Sequence, residues 1–171
     1  MPPTLIVQTP DGRSLDVWLA GPHALACAAL IPERVLGTAI IAGVAPYPAD
    51  GLDWLEGMGA ENVEEFGRTL EGEAAIVPFV EKAAAELRDV KPEDLARAFG
   101  DLIDDVDRGA VPGRVHIWQG AHDRMIPFGH GQWLAAHCGG ACVHLHEDQG
   151  HLSLVVDRFG DVLDELVAGA A

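Results

Sequence analysis

GRVHIWQGAHDRMIPFGHGQWLAAHCGGACVHLHEDQGHLSL, residues 113–154, alternates strand-like and helix-like runs. Val115, Ile117 and Trp118 make an apolar, β-rich run that stops at Gly120, as a buried strand closed by a turn would. PFGHGQWLAAHC then reads as a helix and ACVHLHED as a second strand. Beyond it, Val155, Val156, Phe159, Val162, Leu163, Leu166 and Val167 recur at helical spacing, the mark of an amphipathic helix. Strand, helix, strand, helix in this order predicts parallel strands covered by helices.

Working outward, RVLGTAIIAGVAP, residues 34–46, is apolar at both alternating sets of positions, which suits a strand covered on both faces. Before it, Pro22 suits the first position of a helix that HALACAALIP continues until Pro32. The opening TLIVQTPDGRSLDVWLA places two short strand-like runs around Pro-Asp-Gly, with Leu15, Val17 and Leu19 alternating against Ser14, Asp16 and Trp18, and predicts a hairpin. Residues 53–110 are acidic and Ala-rich, with Leu87, Val90, Leu95, Phe99, Leu102, Ile103 and Val106 at helical spacing and Pro92 separating two helices. The fold class expected is α/β: a mostly parallel sheet with an N-terminal antiparallel hairpin and flanking helices.

The 171 residues, 49% of them hydrophobic, suffice for one sizeable core, so one domain over residues 1–171 is expected. Twenty-seven acidic against 11 basic residues give a formal charge of −16, which repels nucleic-acid phosphates and anionic lipid surfaces. The N-terminus shows no basic region followed by a long apolar one, and no apolar run reaches the roughly 18 residues of a membrane span. A cytoplasmic protein is expected. Three cysteines, an odd number, favour thiols over a disulfide framework, and Cys27 in its Ala-rich stretch reads as a small core residue.

In a parallel sheet, catalytic groups gather where loops leave the C-terminal ends of strands. Asp123 stands just past one such end and His151 just past the next. A carboxylate there can fix the tautomer of the imidazole and stabilise the imidazolium that proton transfer creates. The plainer alternative for such spacing is a loop cap and a surface histidine.

HIWQGAHDRMIP followed by EDQGHLSL resembles the C-terminal end of the α/β-hydrolase superfamily. The hairpin resembles that family's first two strands, and GPHALACAALIPERVLGTAIIAGVAPY resembles the helix after its nucleophile elbow and the strand that follows. The resemblance implies a catalytic acid at Asp123, a base at His151, and a helical lid over residues 53–110. The chain departs from the family where its nucleophile belongs. It holds no G-x-S-x-G; if Gly21-Pro22 ends the elbow, Trp18 occupies the serine's place. The two serines, Ser14 in the hairpin and Ser153 two residues after the histidine, are not placed for that role. The segment that in the family supplies three central strands and the oxyanion loop is missing between Leu19 and Gly21, and a second shortening precedes Val115. The hairpin is then expected to pair directly with the strand within residues 35–43, or a second chain to cover the open edge.

Cys138, Cys142, His144 and His146 offer the ligand types of a zinc site but lack a second paired motif, and turn and surface roles are the simpler reading. No metal or other cofactor is expected. Neither Cys27 nor Cys138 lies on an elbow. His122 suits a water-exposed loop position, and Trp54, Trp118, Trp133, Phe66, Phe79 and Phe128 suit ordinary core aromatics better than a pocket lining. Two functions remain: hydrolysis of a small ester or amide-like substrate by an Asp123–His151 pair acting on water, or a catalytically inactive derivative that serves as a binding or scaffold module. Small-molecule partners and homo-oligomers through exposed sheet edges are expected.

Overall fold

The computed structural model describes residues 5–8, 14–17, 24–25, 28–29, 35, 37–86 and 115–169. Trp18, Cys27, Pro92 and the apolar positions from Leu87 to Val106 lie outside them. Of the helix expected after Pro22, residues 24–25 and 28–29 are described, and they are helical.

The centre is a three-stranded parallel sheet of β3 (Thr38–Ile41), β4 (Val115–Gly120) and β5 (Cys142–His146), in that spatial order. Thr38 pairs with Val115, and His116 with Cys142. Besides the helical residues 24–25 and 28–29, four helices accompany it among the described residues: α1 (Ala60–Glu71), α2 (Glu73–Glu86), α3 (Phe128–His137) and α4 (His151–Gly169). The unit β4–α3–β5–α4 follows the strand and helix order legible in residues 113–154.

Burial explains why each strand reads as it does. β4 is buried at every residue, because α3 covers one face and α4 the other. On the α3 side, Ile40, Val115 and Ile117 pack with Leu25, Leu134 and Cys138. On the α4 side, Ala42 and Trp118 pack with Leu154 and Val162, and Ala39 and Ile41 lie against them. A third cluster sits beyond the strand ends, where Val44, Ala45, Trp54, Met58, Phe66 and Ile126 close over one another.

Two expectations need correction. The strand expected across residues 34–46 is regular only over Thr38–Ile41. Ala42 takes a positive φ of 50°, which ends the pleat although its N–H still bonds the Trp118 carbonyl at 2.8 Å. Of the two alternatives for the open edge, direct pairing of the hairpin with β3 is not seen among the described residues. β1 (Leu5–Gln8) and β2 (Ser14–Val17) pair antiparallel with each other in a separate two-stranded sheet, and β3 bonds β4 alone among the described residues.

No helix among the described residues is long and apolar enough to cross a membrane.

Candidate active site

β4 ends at Gly120 because the chain after β5 presses against it: a Cβ on Gly120 would run into the carbonyl of Gln149. The two loops are laced together at this point. Ala121 N–H bonds the His146 carbonyl at 2.8 Å, and His122 N–H bonds the Gln149 carbonyl at 2.9 Å. Asp123 and His151 therefore stand on loops whose backbones are already in register.

Asp123 turns its carboxylate back over its own loop. Oδ1 accepts the N–H groups of Met125 and Ile126, each at 2.8 Å, in the local side-chain-to-backbone pattern aspartate favours in turns. Oδ2 accepts His151 Nδ1–H at 2.8 Å and Gln119 Nε2–H at 3.3 Å. The side chain is wholly buried, and its one ion-pair partner among the described residues is His151. Four N–H donors fill the four acceptor positions of a carboxylate, which is how a negative charge can stand inside a protein without an arginine or lysine.

His151 opens α4. Gly150 precedes it as the cap: its carbonyl accepts Leu154 N–H at 3.0 Å, and its own N–H donates to Ser153 Oγ at 2.8 Å. This is the reciprocal half of a capping box, a third-position side chain reaching back to the cap backbone. The histidine side chain is 27% exposed, so water reaches it. With Nδ1–H given to Asp123, Nε2 carries the lone pair and is the basic nitrogen.

The structure thus brings Asp123 and His151 into direct contact. It brings no hydroxyl or thiol to them: among the described residues no Ser, Thr or Cys side chain bonds His151, and Ser153 Oγ is committed to Gly150. Ser14 stands in the separate two-stranded sheet. Cys138 is buried against the α3 side of the parallel sheet.

Cys142 is exposed, while His144 and His146 turn toward Trp118, and no set of three or more His, Cys, Asp or Glu among the described residues is arranged to hold a metal ion. His144 stacks on Trp118 at 3.8 Å between ring centroids, and His116 and His146 extend the row at 5.6 Å on either side. Burial pushes the pKa of both His144 and His146 below the usual histidine value, helped at His144 by His116 and at His146 by Arg158. His122 is exposed, and Trp54, Trp118 and Phe66 are core residues.

Sequence reasoning missed His130 and Gln119. His130 is fully buried in α3; it accepts Ala45 N–H on Nδ1 at 3.1 Å and donates Nε2–H to the Trp54 carbonyl at 2.8 Å. Burial holds its pKa below the ordinary value, so it is a neutral strut. Nothing in FGHGQW separates such a histidine from a surface one, because its partners lie 76 and 85 residues away.

No family model and no curated protein matches the chain. Its structure is similar to the crystal structure of a hydrolase from Pseudomonas aeruginosa PA01, with a TM-score of 0.51 over 84% of this chain at 20% identity. The likeness is one of fold. It places the α/β arrangement, expected from residues 113–154, beside a solved hydrolase. The chain spans 58% of the length of that hydrolase.

Proposed function

We propose that this chain hydrolyses a small ester or amide-like substrate, with His151 as general base toward water and Asp123 as its orienter. The observation that carries the reading is the 2.8 Å bond between His151 Nδ1 and a buried, donor-saturated Asp123, on a fold similar to that of a hydrolase. His151 Nε2 takes a proton as the water oxygen attacks the carbonyl carbon, and returns it to the leaving group as the bond to that group breaks. Such a pair without a serine retains the part of hydrolase chemistry that needs a positioned base. No cofactor enters these steps.

Residues 53–110 serve as a lid in this proposal, within one domain. Support comes from the start of α1, which is tied to the acid's loop: Gly59 N–H bonds the Arg124 carbonyl at 2.7 Å, and Asn62 Nδ2 bonds the Met125 carbonyl at 3.3 Å. A small apolar molecule in the cytoplasm is the partner that a −16 chain would accept.

A second reading is favoured by one specific observation, the commitment of Ser153 Oγ to the Gly150 cap. It is a hydrolase fold kept as a binding or scaffold module. The deciding experiment is hydrolysis of short-chain aryl esters by the purified chain beside His151→Ala. Turnover that falls to the buffer rate in the variant supports the water-activating pair. Equal rates in chain, variant and buffer reject it in favour of the module.

A further inference from the structure

Gln119, the penultimate residue of β4, has no exposed surface. A buried amide needs partners, and Nε2 finds two: the Ile126 carbonyl at 2.7 Å and Asp123 Oδ2 at 3.3 Å. Both are acceptors, which settles which end of the amide is nitrogen. Together they bracket the turn from Asp123 to Ile126, whose own N–H groups feed Asp123 Oδ1. One side chain therefore holds both the carboxylate and the far end of the turn that presents it.

Two local costs converge on this residue. Its Oε1 is buried with no hydrogen-bond partner among the described residues, a penalty that an apolar side chain of the same size would not carry. Gly131 stands inside α3, where alanine is the better helix former. A Cβ at Gly131 would run into the Gln119 side chain. The glycine is the notch that seats the stem of Gln119, whose Cβ and Cγ are the atoms a methyl there would meet first.

We infer that Gln119 is a positioning residue, locking the Asp123 carboxylate toward His151 and tying that orientation to α3 through the notch at Gly131. This rests on reading Asp123 and His151 as the orienter and the base. The role explains why an amide with two Nε2–H bonds occupies a buried site that leucine would fill.

The test follows the His151 Nδ1–H proton in histidine-labelled full chain by 1H–15N NMR, assigned by its loss in His151→Ala. Gln119→Leu removes the amide at nearly constant volume, and the exchange of that proton with water is expected to quicken about tenfold while the backbone amide spectrum is retained. Gly131→Ala, whose added methyl meets Gln119, is expected to quicken it as well, and the double variant to show no further increase. Val80→Ala, a cavity at a buried position of α2, controls for general loss of stability and is expected to leave the rate within about twofold. An unchanged rate in folded Gln119→Leu overturns the inference, and so does an effect of Gly131→Ala that adds in full to it. Should Gln119→Leu not fold, Gly131→Ala decides: quickened exchange supports the role, an unchanged rate refutes it. Because the readout needs no turnover, a chain without esterase activity leaves this inference standing, and an active chain can still refute it.

Discussion

His151 and His130 are the same residue type put to opposite uses, and burial separates them. His130 has both ring nitrogens bonded to backbone and none of its surface exposed, so it gains nothing by protonation and loses the Ala45 contact. His144 and His146, in the ring row beside Trp118, are also held below the ordinary histidine pKa by burial first. For all three the unfolded chain takes up protons at a higher pH than the folded one does. Their contribution to stability is thus fully present above the unfolded value of about 6.5 and is lost as the pH falls below it. The urea midpoint is expected to drop between about pH 7.5 and pH 5.5, and to drop less in His144→Phe, which keeps a ring on Trp118. A midpoint that does not move over that range would contradict the assignment. None of this could be read from residues 116, 130, 144 and 146 as letters, since solvation is a tertiary property.

At the scale of elements, the strands and helices of residues 113–154 were legible because period and turn chemistry agree: Gly120 closes β4, and the apolar run beyond β5 falls within α4. There Val162 is buried as its spacing implies, while Val155 and Val156 are exposed and Leu154 fills the buried place instead. β3 was legible in kind but not in length, because the positive φ at Ala42 has no letter of its own in an alanine. Glycine at 120 is demanded by a neighbour rather than by its own backbone. Gly120→Ala is expected to destabilise the chain by about 2 kcal/mol, since the methyl meets a backbone carbonyl that cannot step aside without shifting the His151 loop. A denaturation curve that matches the parent would show that the loops are not packed as closely as described. The same variant should weaken any His151-dependent turnover, because the two loops share this contact.

Among the described residues, the parallel sheet has its central strand covered on both faces, while β5 at one side is largely exposed. β3 and β5 each bond β4 alone among the described residues, and the hairpin forms its own sheet. Leu152 and Val156 on α4 are 72% and 79% exposed, and Val143 and Leu145 on β5 are also exposed. Open edges beside exposed apolar side chains are what self-association covers, and we expect it here. Sedimentation should show species heavier than the 18.1 kDa chain, increasing with concentration and with salt that screens the −16 charge. A single monomeric species under all those conditions would remove this expectation.

The alternation of strand and helix, the two loops that carry Asp123 and His151, the acidic balance and the lack of an elbow serine are each written in local period, spacing or residue type. Tertiary structure alone decided that the two side chains meet at 2.8 Å, that four donors saturate the carboxylate, and that the hairpin stands apart from β3. The reason is physical. Period and propensity act over a turn or a strand, whereas hydrogen-bond satisfaction and desolvation depend on which distant segments share a buried volume.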